Sequence, residues 1–170
     1  MEIIDAQHVH VEGITAIYND AVEHTTAIWN EVTVDAENRK VWLAEHQQAN
    51  LPVLVAVGAN DEVLGYATFG PWRAWDSYRH TVEHSVYVRA DQRGKGLGKA
   101  LMLELITRAR ACGMHVMVAG IEAENIGSIR LHEKLGFENV GTLKQVGEKF
   151  GSWLDLTFLQ LQLEDQSTPA

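Results

Sequence analysis

Glu83-His84-Ser85-Val86-Tyr87-Val88-Arg89, then Ala90-Asp91-Gln92-Arg93-Gly94-Lys95-Gly96-Leu97-Gly98-Lys99, then Ala100-Leu101-Met102-Leu103-Glu104-Leu105-Ile106, is the stretch that decides how the chain is read. The β-branched and aromatic run over 85–88 favours an extended chain. Glycines at 94, 96 and 98 permit a tight turn with exposed backbone N–H groups. Apolar residues at 97, 101, 105 and 106 then recur at helical spacing. A strand, a basic glycine loop and a helix follow one another. The N-terminus of a helix behind Arg93, Lys95 and Lys99 favours an anion, a phosphate or a pyrophosphate.

Outward from this core the chain alternates helix and strand. Residues 2–6 read as a short strand, and His8 to His24 as a helix with Val11, Ile14, Ile17, Tyr18, Ala21 and Val22 on one face. Residues 25–33 read as a loop in which Ile28 and Trp29 look exposed. Asp35 is placed to cap a helix from Ala36 to about Ala49, with Val41, Trp42 and Leu43 inward. Pro52–Val57 and Val63–Phe69 read as strands joined by a turn at 59–62. Residues 70–79 break the pattern with three aromatics and two arginines, and a strand over 81–89 follows. Gly113 closes the helix behind the glycine loop. His115 to Ile121 is a further strand, and Asn125 begins a helix with Ile129, Leu131 and Leu135 inward. Two strands, Phe137–Gln145 and Trp153–Leu163, end the fold. In the last, Leu154, Leu156 and Phe158 alternate with Asp155, Thr157 and Leu159 as a half-buried strand. The expectation is a mixed α/β sheet in one domain over 1–164, with 165–170 as a tail.

Composition narrows the functional classes. At 170 residues, 46% hydrophobic and 22% charged, the chain has the make-up of a single globular domain. A formal net charge of -9 argues against a nucleic-acid partner, because phosphate contacts need a basic surface. The basic cluster over 89–99 is local, which suits a small anionic ligand. The single cysteine, Cys112, excludes an intrachain disulfide and reads as a buried structural thiol. The start, Met1-Glu2-Ile3-Ile4-Asp5, lacks a basic segment and an apolar core, and no run of about 18 apolar residues spans a bilayer. A cytoplasmic location without membrane contact is expected.

Two nucleotide readings of the glycine loop fail. A P-loop needs Ser or Thr after its Lys, and Lys99 is followed by Ala100. A dinucleotide fingerprint needs Gly-x-Gly-x-x-Gly, and Gly94-Lys95-Gly96-Leu97-Gly98 has the wrong last spacing. What remains, Gln92-Arg93-Gly94-Lys95-Gly96-Leu97-Gly98 behind a Val-Tyr-Val strand, resembles the acetyl-CoA signature of the GNAT superfamily of N-acetyltransferases. Asn125, Ser128, Leu131, His132 and Lys134-Leu135-Gly136-Phe137 match that superfamily's second CoA helix and the strand after it. Gly70-Pro71-Trp72-Arg73-Ala74, Tyr78, Thr81, Glu83, Val86-Tyr87-Val88 and Lys149-Phe150-Gly151-Ser152-Trp153-Leu154-Asp155 resemble its phosphinothricin and methionine sulfoximine/sulfone acetyltransferase branch.

The resemblance implies a GNAT fold with a splayed central strand, acetyl-CoA as co-substrate without a metal, and a small amino-acid-like acceptor. Val86, Tyr87 and Val88 then hold the pantetheine arm, an amide chain that adds to a splayed strand as a strand does. Arg93, Gly94, Lys95, Gly96, Leu97, Gly98 and Lys99 take the pyrophosphate, and Asn125 and Lys134 flank the CoA. Acetyl transfer to an ammonium group needs a base, and Glu83 is the residue expected to serve, directly or through water, in a direct transfer. His132 stands where many members carry Tyr; it is a general acid, a substrate ligand or a packed core histidine. Arg73 is expected to fork onto the substrate's acidic group or α-carboxylate. Trp29, Trp75 and Tyr78 are expected to wall the side-chain pocket, with Asp76 and Ser77 of the same loop as further substrate-binding residues. Trp75 replaces a second basic residue of some phosphinothricin enzymes, which favours a less charged sulfone or sulfoximine. The branch also implies a homodimer, with the hairpin at 149–153 near the site and the partner.

A metal motif competes. His80-Thr81-Val82-Glu83-His84 spells H-x-x-E-H, which on a helix sets two histidines on one face for zinc. The Thr, Val and Tyr content of 81–88 argues for a strand, on which the histidines point away from Glu83. The glycine loop by itself is also compatible with acetylation of a protein or peptide, or with a non-catalytic acetyl-CoA-binding module.

Overall fold

Val53–Val57 is buried along its whole length, and the reason is a sheet covered on both faces. In the computed structural model, which describes residues 1–164, 168 and 169, this run is the second of seven strands. Of the expected tail, 165–167 and 170 lie outside the described residues. The elements are β1 (Glu2–Asp5), α1 (Val11–His24), α2 (Ala36–Gln48), β2 (Val53–Val57), β3 (Val63–Pro71), β4 (Thr81–Val88), α3 (Leu97–Ala111), β5 (Val116–Glu122), α4 (Ile126–Lys134), β6 (Glu138–Lys149) and β7 (Ser152–Gln162). They form one mixed sheet in the order β1-β2-β3-β4-β5-β7-β6. On one face Leu54, Ala56, Ala67 and Val82 pack with Leu101, Met102, Leu105 and Ala109 of α3. On the other, Val53, Val55, Val57 and Tyr66 meet Val11, Ile14, Ile17 and Leu43 of α1 and α2. The period of two along β2 thus sends alternate side chains into two cores.

Every strand pair is antiparallel except β4–β5, whose parallel connection runs through α3. That pair is short. Only Thr81, Val82 and Glu83 match Val116, Met117 and Val118. Past Glu83, β4 stays paired with β3 as far as Val88, and β5 stays paired with β7 as far as Glu122. The facing edges of 84–88 and 119–122 therefore splay apart. The expected splayed strand is β4.

Several local expectations are corrected. His8–His10 forms a 3-10 turn, so the first α-helix begins at Val11. Asp35 caps α2 as expected, accepting from the Asn38 N–H at 2.8 Å, but Val41 is 52% exposed and only Leu43 is fully inward. Ile28 is buried in a small cluster with Ala21 and Val22. Cys112 is exposed because the turn that ends α3 lies at the surface. β6 runs on to Lys149 through two register shifts. On β7 the core face is Thr157, Leu159 and Leu161, while Leu156 and Phe158 turn to a cavity on the opposite side. Both faces of that strand are apolar, so alternation alone does not tell which one meets the core.

The H-x-x-E-H segment is extended from Thr81 onward, which separates Glu83 and His84 onto opposite faces. His84, the first β4 residue past the last β4–β5 pair, stacks on His132 of α4, with centroids 4.9 Å apart and planes at 6°. His132 Nδ1 donates to the Ser128 carbonyl at 2.7 Å, so its Nε2 is the acceptor for His84 Nε2–H at 2.9 Å. His84 Nδ1 is then bare, and it is buried without a partner among the described residues. A second proton on His132, at Nε2, would set two N–H groups against each other, and one on His84, at Nδ1, would leave a buried N–H without an acceptor. Burial, and then the neighbouring His132, pushes His84 down from 6.5 to about 3. Burial also lowers His132, opposed by its bond to Ser128.

Both histidines are thus held neutral in the folded state. The unfolded chain binds more protons below pH 6.5, so this contribution to stability is present above that value and is lost as pH falls towards about 3. Urea unfolding at pH 7.5 and 5.0 is expected to show a loss of about 1.4 kcal/mol per pH unit below 6.5 from His84. His84→Gln should flatten that slope; an unchanged slope contradicts the assignment.

Candidate active site

The glycine loop delivers what its sequence promises. Gly94 and Gly96 adopt φ of 75° and 80°, a left-handed conformation that side chains resist. Gly96 is the N-cap of α3, and no side chain caps the helix there, so its first amides are left for another acceptor. Leu97 anchors the turn with its side chain in the core, at 5% exposed. Arg93, Lys95 and Lys99 stand exposed around it. Arg93 donates to the Val88 carbonyl and to Asp20, both at 3.4 Å, which ties the loop back to β4 and α1.

From this loop a groove runs along the splay. Val86, Tyr87 and Val88 line it with Arg93, Asn125 and the end of α1 around Ala21, Thr25 and Ala27, enclosing about 280 Å³. Asn125, the N-cap of α4, accepts from the Ser128 N–H at 3.2 Å. The strand, the loop and the N-terminus of α4 are therefore brought together as expected. Lys134 is not: it sits exposed in the last turn of α4 and lines none of this groove.

At Ala27 the groove meets a second cavity of about 350 Å³, lined by Ala27, Trp29, Trp72, Arg73, Glu83, Gly120, Glu122, Leu156 and Phe158. Glu83 opens into it. A smaller cavity holding Tyr18, Arg39 and Trp42 also reaches Glu83, Ser85 and Tyr87, the alternate residues of one β4 face. Although Glu83 is reachable from the cleft, the protein packed around its carboxyl raises its pKa, an effect that Arg73 partly opposes. The Arg73 guanidinium lies 4.7 Å over the Trp72 ring, and Trp72 meets Phe158 edge-on at 5.4 Å. A carboxylate with a raised pKa, one cation and an aromatic wall thus share one space. Such a site suits a small zwitterion.

Trp29 and Arg73 stand where the sequence pattern places them. Trp75, Asp76, Ser77 and Tyr78 do not line this cavity. They form an exposed 3-10 turn in which the Trp75 ring, 71% exposed, packs towards Tyr78. His132 lies outside the cavity as well, with both ring nitrogens engaged inside the protein. Glu122 is a site residue that sequence reasoning misses. It is a buried carboxylate in the cavity wall, accepting from the Glu124 N–H at 3.1 Å, and its only sequence signal is a charge ending an apolar strand.

Comparison with known proteins agrees with this geometry. The Acetyltransferase (GNAT) family matches residues 14–137. The chain is 59% identical over 162 residues to the L-methionine sulfoximine/L-methionine sulfone acetyltransferase of Pseudomonas paraeruginosa, covering 95% of this chain and 94% of that one. It is 36% identical to the phosphinothricin N-acetyltransferase of Streptomyces coelicolor, over 90% of this chain and 91% of that one. The solved structure of yncA from Salmonella typhimurium with its cofactor acetyl-CoA superposes with a TM-score of 0.96 at 54% identity, covering 100% of this chain and 98% of that one. A splayed β4, an uncapped glycine loop and near-full-length similarity converge, and the chain belongs to the GNAT acetyltransferase family.

Proposed function

We propose that the protein transfers the acetyl group of acetyl-CoA to the α-amino group of a small amino acid analogue such as methionine sulfoximine, methionine sulfone or phosphinothricin. The observation that carries this reading is the raised Glu83 carboxyl, set where the groove along β4 opens into the Arg73 cavity. The open edge of 86–88 receives the amides of the pantetheine arm, and its N–H groups meet the oxyanion. Arg93 and the amides of 94–98 take the pyrophosphate, with Lys95 and Lys99 adding positive field and Asn125 facing them across the groove. Lys134 contributes at longer range to the same field.

Arg73 holds the acceptor's carboxylate or acidic head group as a charge-assisted fork, and Trp29, Trp72 and Phe158 enclose its side chain. Glu83 takes one proton from the ammonium group, and the freed amine attacks the thioester carbonyl. The C–N bond forms, the C–S bond breaks, and the second amine proton balances the expelled thiolate. His132 supports this step by holding His84 at the point where β4 leaves β5, in place of a general acid. One cation beside a buried carboxylate favours a zwitterion with a neutral sulfone or sulfoximine head over a doubly charged phosphinate. Trp75, Asp76, Ser77 and Tyr78 approach the acceptor only if their turn folds inwards. A homodimer in the cytoplasm completes the reading: β6 is the sheet edge, and Val146, Phe150 and Trp153 of its hairpin are exposed for a second copy.

Free-thiol release from acetyl-CoA with methionine sulfone, methionine sulfoximine, phosphinothricin and a basic peptide tests the proposal. Turnover is expected with the sulfone and sulfoximine first; acetylation of the peptide alone, or of nothing, contradicts it. Glu83→Gln should lower kcat by about tenfold or more while acetyl-CoA still binds. Because the Glu83 pKa is raised, the acid limb of wild-type kcat/KM should lie above the usual carboxylate range, with activity falling as pH drops through it. Arg73→Ala should raise KM for the amino acid by about tenfold, leave KM for acetyl-CoA unchanged and move that acid limb further up, since Arg73 opposes the shift.

A further inference from the structure

Lys149 is a charged side chain that the proposed reaction does not use, and it is 1% exposed. Among the described residues no carboxylate lies within ion-pair distance of it. Its ammonium donates to two backbone carbonyls, Thr25 at 2.7 Å and Ile28 at 2.5 Å. Thr25 is the C-cap of α1, the negative end of the helix dipole, so the cation sits where a helix favours one. An apolar side chain would fill the same space without the cost of burying a charge. What the ammonium adds is direction, since it fixes two named carbonyls of one turn.

That turn carries Trp29. The indole Nε1–H donates to the Thr26 carbonyl at 2.9 Å, between the two carbonyls that Lys149 holds. The opposite side of the ring rests on Gly147, two residues before Lys149 on the same strand. A Cβ at 147 would overlap ring carbons Cζ3 and Cε3 of Trp29. The β6 bulge that sets this approach is pinned as well: Asp155 accepts from the Gln145 N–H at 2.7 Å and from Lys144 Nζ at 3.1 Å, with Gln145 at φ 53°. Trp29 and its neighbour Ala27 are both walls of the cavity that contains Glu83 and Arg73.

We propose that Lys149 and Gly147 form a clamp that sets the depth of the amino-acid pocket by fixing the 25–29 turn and the Trp29 ring. Lys149 is therefore a positioning residue for acceptor specificity. It acts from the terminal hairpin through a turn more than a hundred residues away in sequence. The inference rests on the acceptor site described above. In an unclamped chain the ring is free to leave the wall, and the pocket loses its selectivity for acceptors of one length while the cofactor groove along 86–88 keeps its lining.

Lys149→Met removes the donors and keeps an unbranched side chain only one atom shorter. Amide hydrogen exchange over 25–31 should accelerate at least about tenfold, with α3 and β3 unchanged. KM for methionine sulfone should rise about tenfold with KM for acetyl-CoA unchanged. Combined with Trp29→Ala, which alone should raise the same KM, Lys149→Met should add little further. Gly147→Ala leaves every Lys149 bond in place and displaces the ring from the other side, so it should show the same KM split even if Lys149→Met folds poorly. Unchanged exchange over 25–31, an equal rise in both KM values, or full additivity with Trp29→Ala would overturn the clamp. If wild-type protein leaves methionine sulfone unacetylated, the acceptor assignment fails, and the exchange of 25–31 still decides whether Lys149 holds the turn.

Discussion

Backbone hydrogen bonding between β4 and β5 stops after Glu83 and Val118, and the rest of the molecule depends on that early stop. Each strand keeps its outer partner, so neither is destabilised along its full length, yet each has an inner edge with no strand paired to it. Such an edge is costly if buried without a partner and useful if a ligand with its own amides can complete it. The parallel pairing makes the gap possible, because its crossover places α3, and with it the uncapped glycine turn, at the open end. The stacked His84–His132 pair occupies the point of divergence, its hydrogen bonds made to each other and to Ser128 and none to β5.

Charge is distributed along this opening in a fixed order. Arg93, Lys95 and Lys99 surround the loop end, where the backbone also presents positive dipoles. Glu83 stands at the other end with its carboxyl raised by the protein around it and restrained by Arg73. Its place in the cavity wall, with protein packed around the carboxyl and Arg73 opposing the effect, keeps its pKa above that of an open carboxylate. The acidic balance of the chain as a whole, at -9, leaves this local basic segment as a distinct feature.

Much of this was legible from local pattern. The continuous apolar run of β2, the left-handed glycines at 94 and 96, and the opposite faces of Glu83 and His84 follow from period and backbone preference, which are short-range properties. The family resemblance drawn from separated motifs supplied what periodicity could not, namely the splay and the ligand that fills it. What stayed hidden depends on contacts between distant segments. His84 and His132 are 48 residues apart, and nothing near either one announces the other. Lys149 looks like an ordinary hairpin lysine until the turn after α1 closes over it. The 75–78 turn is rich in pocket-like side chains, but its 3-10 geometry faces them outward. On β7 two apolar faces made alternation ambiguous, and only the presence of a cavity on one side separates Phe158 from Leu159.

The central claim is that the open edge of β4 and the amides of the glycine loop form one continuous binding track. Amide hydrogen exchange measured with and without saturating acetyl-CoA addresses it directly. The account predicts slowed exchange at 86–88 and at 94–98 together, with β2 and β3 unchanged. Slowing at the loop with none at 86–88, or slowing spread evenly over the sheet, would contradict it.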